Sequence, residues 1–425
     1  MKDFAMRSLN EKPSEISIYV WNIVGSMANA LLSVIILMIV TRRLDEGQAD
    51  IFSVAWSISQ LMATIGTYQI RTYQATDVKE TFSFKQYFMF RTITVILMSV
   101  SSFCYIMIKN YGMYKAAVVM ILCLFRAVDS LADVYEGWFQ QKERLDLAGK
   151  AMTYRIVIAV IAFGITLAFF QNLIISCLAL LGVYSFCLFC FNVRYTLTVD
   201  ILKPGITKIE GVKWIWKMLK EGTPLFINAF LMMSITNTPK MGIDDLLEIG
   251  GMEQGSQTVF NVLFMPASVL TLIYIVFRPL LTELAIQWAK GKIRHFLMIL
   301  GKMCLCLLGI GLLTLIVSAI IGLPVLSYLY AIDLRSYRLE LLIIMTGGSL
   351  CTFSYVLDNA LVVIRKQYLL LISYILSWIY IKMIAGKIID EWGLTGAALS
   401  YASAMLVFLI ITTIIFIVCL KNEKK

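Results

Sequence analysis

Ala116 to Phe139 reads AAVVMILCLFRAVDSLADVYEGWF. About 20 mostly apolar residues suffice for a helix to cross a bilayer, and this run is long enough. Yet it carries Arg126, Asp129, Asp133 and Glu136, spaced +3, +7 and +10. At about 100° per residue the four fall within an arc of about 80° on one helix face. Charged side chains are costly in hydrocarbon, about 2.5–3.5 kcal/mol each at a helix centre on insertion scales. A single span so marked would expose them to lipid. The stripe therefore requires neighbouring helices, and the segment reads as one member of a polytopic bundle.

The remaining sequence supplies the neighbours. Of 425 residues, 60% are hydrophobic and 15% charged, with a mean hydropathy of +0.81. Soluble domains hold about 45–50% apolar and about 25% charged residues. A soluble multidomain enzyme, a disordered chain and a disulfide-rich secreted module are excluded on these grounds. Twelve segments have the length and apolarity of spans: 18–41, 49–69, 86–108, 116–139, 153–170, 173–193, 222–242, 257–278, 297–321, 341–364, 367–386 and 394–420. With the N-terminus inside, the cytoplasmic segments hold 27 Lys and Arg and the outer ones 9, while Arg126 lies within a span. This alternation is the positive-inside pattern and places both termini in the cytoplasm. The net charge of +10 then reflects membrane asymmetry, not a nucleic-acid partner. The expected fold is an all-α polytopic membrane protein with about twelve helices in two six-helix lobes. The expected division is 1–200, a basic amphipathic linker at 201–221, and 222–425.

Enzymatic chemistry finds little support. No G-x-x-x-x-G-K-[ST] loop is present, and the one histidine, His295, sits in a loop among Lys290, Lys292 and Arg294. The nine cysteines lie in apolar runs and read as small buried hydrophobes, Cys187 and Cys190 included. No outer loop has room for a catalytic site. Neither a cofactor nor a metal is expected, and the chemistry left is movement.

Several spans carry polar faces suited to that task. The first has Asn22, Gly25, Asn29 and Ser33; the second has Ser53, Ser57, Gln60 and Thr64. Such stripes serve close helix packing or equally a hydroxyl-rich passenger. Pro224, Asn228, Asn237, Pro239, Lys240 and Asp244 are expected to break up the seventh span, and Asn261 lies in the eighth. In the fourth span, two readings stay open. Arg126 meets an anionic substrate group while Asp129, Asp133 or Glu136 carries a proton or sodium ion; or Arg126 and Asp129 merely satisfy each other. Arg71, Arg91 and Arg278 are placed at the inner mouth, where guanidinium pairs with phosphate or anchors to lipid headgroups.

An ordered set of motifs adds a resemblance. It comprises Gln48-Ala49-Asp50-Ile51-Phe52-Ser53; Ile70-Arg71-Thr72-Tyr73-Gln74 with Asp77; Asp133-Val134-Tyr135-Glu136-Gly137-Trp138-Phe139-Gln140-Gln141-Lys142 with Leu145-Asp146, Gly149-Lys150 and Arg155; Pro239-Lys240-Met241-Gly242-Ile243-Asp244; and Phe264-Met265-Pro266. In these the chain resembles the polysaccharide transporter (Wzx-type) flippases of the multidrug/oligosaccharidyl-lipid/polysaccharide (MOP) superfamily. It departs from them at Asp50, where glycine is expected, and at Met241, where an aromatic is. The resemblance implies two lobes about a central cavity that opens alternately to either side of the cytoplasmic membrane. It implies a polyprenyl-diphosphate oligosaccharide as passenger, for capsule, O-antigen or exopolysaccharide synthesis, with a polymerase and glycosyltransferases as partners beside the membrane lipids. Arg126, with Arg71, Arg91 and Arg278, would then hold the diphosphate; Asn22, Asn29, Gln60, Asn228 and Asn261 would meet sugar hydroxyls. A multidrug or small-molecule antiporter of the same superfamily, and an accessory subunit of a glycan-synthesis complex, are the alternatives.

Overall fold

The computed structural model describes residues 11, 13–77, 80–205, 211–273 and 278–423, and among these there are helices and no strands. In chain order they are α1 (Glu15–Arg43), α2 (Glu46–Thr67), α3 (Ile70–Thr76), α4 (Phe84–Lys109), α5 (Met113–Gln141), α6 (Leu145–Phe170), α7 (Leu173–Cys187) and α8 (Arg194–Thr198). Then follow α9 (Lys213–Glu248), α10 (Ser256–Ile273), α11 (Arg278–Ala289), α12 (Ile293–Val317), α13 (Leu323–Tyr330), α14 (Arg338–Val363) and α15 (Leu370–Glu423). Single π turns join α7 to α8 and α12 to α13. Each of the twelve expected spans falls on a helix, save that residues 274–277 of the eighth lie outside the described residues. The eleventh and twelfth share α15, which turns at Gly393 (φ 55°, ψ −130°).

Seven of the described helical stretches are long and apolar enough to span a bilayer: α1, α4, α6, α7 with α8, α12 with α13, α14 and α15. The chain is thus a multi-pass membrane protein. The helices outside that set include α2, α5 and α9, which carry polar or charged stripes. α4 shows how the apolar members are built. Ile93, Ile96, Leu97, Val100, Phe103 and Met107 are exposed along one side, whereas Arg91, Thr94, Met98 and Ser102 are buried on the other. This reverses the soluble arrangement and suits a helix with lipid on its outer face.

The chain divides into two compact units, residues 1–230 and 231–425. In the first, α1 runs along α6, α2 along α5, and α7 along α6. The α1–α6 crossing is set by Gly25 and Gly149, the close contact that small residues permit. A Cβ on Gly149 would stand 2.2 Å from the Trp21 carbonyl oxygen. Gly25 thereby belongs to helix packing; of its stripe partners, Asn22 is half-buried and Asn29 exposed.

α9 corrects one expectation. Pro224 and Pro239 do not break it, and it is continuous from Lys213 to Glu248. Proline removes a backbone donor, so the Ile235 carbonyl four residues before Pro239 loses its helical partner, while the three side chains just before Pro239 add second hydrogen bonds to the carbonyls preceding it. Thr236 donates to Met232, Asn237 to Met233 and Thr238 to Ser234, at 3.0, 3.0 and 2.7 Å. Lys213 to Glu221, within the expected linker, form the opening turns of this same helix. The cysteines are free, and Cys104 and Cys306 are exposed instead of buried because they fall on the outer sides of α4 and α12.

Gly149→Ala is expected to lower unfolding stability by about 1–3 kcal/mol through overpacking. Gly182→Ala, where a Cβ meets nothing within 4 Å, should stay within about 0.5 kcal/mol of the parent. Thermal unfolding of detergent-solubilised protein compares the two.

Candidate functional site

The sharp break between α2 and α3 begins the site. Tyr68 and Gln69 both adopt left-handed backbone angles, φ 45° and 52°. That conformation costs a non-glycine residue about 1–2 kcal/mol. Tyr68 offsets it by packing: its ring stacks on Phe226 with centroids 4.5 Å apart and meets Phe90 edge-on at 5.5 Å. Its hydroxyl pairs with the Thr223 hydroxyl at 2.8 Å. Because α2 ends here, the Gly66 carbonyl is free to accept from Arg91 Nη1 at 2.9 Å and Thr94 Oγ1 at 2.7 Å. A helix C-terminus carries partial negative charge, so it favours a guanidinium.

Beyond the break, α3 lies against α5. Gln74 Nε2 donates to the Val134 carbonyl at 3.1 Å. Gly137 makes room: a Cβ there would stand 2.4 Å from Gln74 Oε1 and 3.4 Å from Arg71 Cγ. The approach brings Arg71 onto the charged stripe of α5. Its Nη1 reaches Asp133 Oδ1 at 2.8 Å and Glu136 Oε2 at 3.2 Å.

The stripe organises a chain of alternating charges. Arg91 Nη2 binds Asp133 Oδ2 at 2.8 Å, so Asp133 bridges Arg91 and Arg71. Glu136 bridges Arg71 and Arg155, whose Nη2 lies 2.9 Å from Glu136 Oε1. Arg155 Nη2 is also 3.5 Å from Asp129 Oδ1, and its Nη1 donates to Asn192 Oδ1 at 2.9 Å. Tyr184 donates its hydroxyl to Asp129 at 2.6 Å, and the Arg155 guanidinium lies over the Tyr184 ring at 4.7 Å. At the far end, Arg126 Nη1 reaches Asp129 Oδ2 at 3.3 Å, with its guanidinium over the Trp56 ring at 4.5 Å.

In order the members are Arg91, Asp133, Arg71, Glu136, Arg155, Asp129 and Arg126. Four cations face three carboxylates, which leaves one positive charge in excess. Arg126 holds the looser end. Its one described carboxylate partner is Asp129, at 3.3 Å; its Nε, like those of Arg91 and Arg155, is buried without a hydrogen-bond partner. Side-chain exposure is 0–3% at Arg91, Arg155 and Glu136, 11% at Arg126, and 20–29% at Asp133, Asp129 and Arg71.

Of the residues expected to act, Arg71, Arg91, Arg126, Asp129, Asp133 and Glu136 are brought together here. Arg91 is placed differently from the headgroup-anchor reading: it is fully buried and ion-paired, since α4 turns that side inward. The i,i+3 pairing of Arg126 with Asp129 is formed. No described hydrogen bond joins Asn22, Asn29, Gln60 or Asn228 to the network. Gln60 and Asn228 are half-buried on α2 and α9, and the buried Asn261 belongs to the second unit. Arg278 opens α11, and its side chain lies outside the described residues.

Sequence reasoning missed Arg155, Tyr184 and Asn192 as members of this site. The expected span began at 153, which left Arg155 at its cytoplasmic edge, whereas α6 begins at Leu145 and Arg155 is buried in its third turn. Its presence among the motif residues was the available signal.

No family model matches the chain, and no curated protein matches it. Solved structures do. A multidrug resistance MATE family transporter of the MOP superfamily, in an inward-facing conformation, superposes with a TM-score of 0.69 at 13% identity, covering 94% of this chain and 99% of that one. The lipid II flippase MurJ, inward closed, gives 0.65 at 10% identity over 94% of this chain and 86% of its own. A mutant of the Vibrio cholerae MATE transporter VcmN gives 0.63 at 11% identity, over 99% and 98%. The chain has the fold of these MOP transporters.

Breaking a buried ion pair from one side costs about 3–5 kcal/mol, because the other charge is left uncompensated. Arg155→Met is expected to lose toward the lower end of that range, because Glu136 is left with Arg71 as its remaining cation, and Arg155→Met with Glu136→Gln to recover part of it. Thermal unfolding of the purified variants measures both.

Proposed function

We propose that the protein is a flippase that moves polyprenyl-diphosphate-linked oligosaccharide repeat units across the cytoplasmic membrane by alternating access, in the synthesis of a surface polysaccharide. The fold is shared with a multidrug transporter and with a lipid II flippase, so the choice between passengers rests on charge. The observation that carries the reading is the buried network's excess positive charge, ending in Arg126, whose one described carboxylate contact is the 3.3 Å pair with Asp129. An anionic headgroup matches such a site. A cationic drug would meet repulsion there, because at low dielectric unlike charge is favoured and like charge penalised.

The geometry also suggests how transport is coupled. Asp129 is shared among Arg126, Arg155 and Tyr184. A diphosphate that takes Arg126 leaves Asp129 one cation short, and a proton or sodium ion then restores the balance. When the ion departs, Asp129 reclaims Arg126 and releases the diphosphate. Asp133 and Glu136 are each held by two arginines and serve to keep the network rigid.

Reconstitution in liposomes with a fluorescent lipid-linked oligosaccharide tests the proposal. Arg126→Ala is expected to slow translocation at least about tenfold, as for truncating one partner of a buried charge pair. It should fold normally, because Asp129 keeps Arg155 and Tyr184. Undiminished transport by Arg126→Ala would remove this residue from the mechanism. Transport of drugs but not of the lipid-linked sugar would favour the antiporter. Asp129→Asn is expected to transport at a rate that no longer responds to an imposed pH or sodium gradient.

A further inference from the structure

The opening turns of α9 present two unlike faces. Lys213, Trp216, Lys217 and Lys220 are spaced 0, +3, +4 and +7, so they fall within an arc of about 100°. All four are exposed, Trp216 at 72%. The opposite face is buried in the first unit. There Trp214 and Met218 join Tyr68, Ile70, Phe82 and Phe90 in one apolar cluster. Gly222 lets the helix approach, since a Cβ on it would stand 3.1 Å from the Tyr68 ring.

The exposed face finds no opposite charge within the protein. Among the described residues, no carboxylate forms an ion pair with Lys213, Lys217 or Lys220, and the exposed Glu221 that follows pairs with none of them. Lys217 Nζ lies 5.3 Å from the Phe82 ring centroid, so its stem runs along the protein while its charge stays outside. An amphipathic helix lying flat on a membrane would bury its apolar face in lipid. Here that face is used against protein, and lysine and tryptophan are what point outward. The stripe ends where the seventh expected span begins, at residue 222, on the side that the positive-inside pattern assigns to the cytoplasm. It rises about 10 Å along the helix. Indole rings collect at the headgroup level of a bilayer, and lysines beside a span are drawn to its anionic lipids. A place at the end of a span favours lipid over a soluble acidic partner.

We propose that Lys213, Trp216, Lys217 and Lys220 form a binding surface for anionic phospholipid headgroups, and that its occupation steadies the α2–α3 break. The ammonium groups take phosphate oxygens, and the indole lies at the base of the headgroups. The inner side of the same helix holds the break: Phe226 stacks on Tyr68, and the Thr223 hydroxyl pairs with the Tyr68 hydroxyl. The inference uses this surface alone and holds whichever passenger the protein carries.

The test uses the purified full-length protein in a neutral detergent. Its unfolding midpoint is measured with phosphatidylglycerol, phosphatidylcholine or soluble glycerol phosphate added. Phosphatidylglycerol is expected to raise the midpoint more than phosphatidylcholine does, and about 0.5 M sodium chloride to remove most of that difference by screening. The combined Lys213→Gln, Lys217→Gln and Lys220→Gln variant should lose at least half of the difference, and the corresponding triple arginine variant should keep most of it. Without lipid the glutamine variant should unfold at the parent's midpoint, because exposed lysines without partners add little to stability. Trp216→Ala should reduce the shift with both lipids. Amide hydrogen exchange across residues 66–77 should slow with phosphatidylglycerol in the parent but not in the glutamine variant. Arg126→Gln should keep the lipid shift, so failure of the flippase reading and failure of this one are separable. Equal shifts with the two lipids, or an unaltered difference in the glutamine variant, would overturn the surface. A shift with glycerol phosphate as large as with phosphatidylglycerol would reassign it to a free phosphate and overturn the lipid. Exchange at the break that ignores phosphatidylglycerol would overturn the coupling.

Discussion

Ionised side chains inside a lipid-facing scaffold must be neutralised by one another, and the first unit is arranged around that need. Its seven charged members alternate so that each carboxylate has at least two cationic neighbours. The supporting features follow from this. Tyr68 and Gln69 accept strained backbone angles so that α3 can turn Arg71 onto α5. Gly137 gives up a side chain to let it approach. The end of α2 offers a carbonyl to Arg91, and α7 offers Tyr184 to Asp129.

The same need explains why the helices differ in composition. α4, α6, α7 and α12 are apolar enough to be recognised as spans by that property alone. α2, α5 and α9 are less so, because they carry the groups that face other helices. In a bilayer the polar part of a helix marks its protein-facing side, the opposite of the rule in water. The two units contrast in this respect. The network on α5 is nearly satisfied within the protein, with one cation in excess. In the second unit Lys240 lies over the Phe264 ring of α10, and the buried Gln257 amide has no hydrogen-bond partner among the described residues.

Much of this was legible beforehand. The stripe at Arg126, Asp129, Asp133 and Glu136 was visible because helical periodicity is local. Motif order linked Arg71, Asp133 and Arg155 to one another without saying how they touch. Arg155 was passed over as a binding residue because a hydropathy window places a charge at the nearest span edge, whereas α6 begins eight residues earlier. Asn29 was marked as a binding amide by its stripe; it is exposed on α1, and no described hydrogen bond joins it to the network. The continuity of α9 through Pro224 and Pro239 was not legible from propensity, which counts each proline as a break.

The amino-acid sequence by itself determined that this is a polytopic α-helical membrane protein, how many segments are apolar enough to cross, and which helix faces are polar. Each of those is a property of consecutive residues and the solvent around them. Only the tertiary structure decided which charges meet: Arg155 on Glu136, Tyr184 on Asp129, and Lys240 on an aromatic ring instead of a carboxylate. Those contacts join residues on different helices. Their pairing is set by where glycines allow backbones to approach and by how each helix is rotated, and neither is written in any single stretch of the chain.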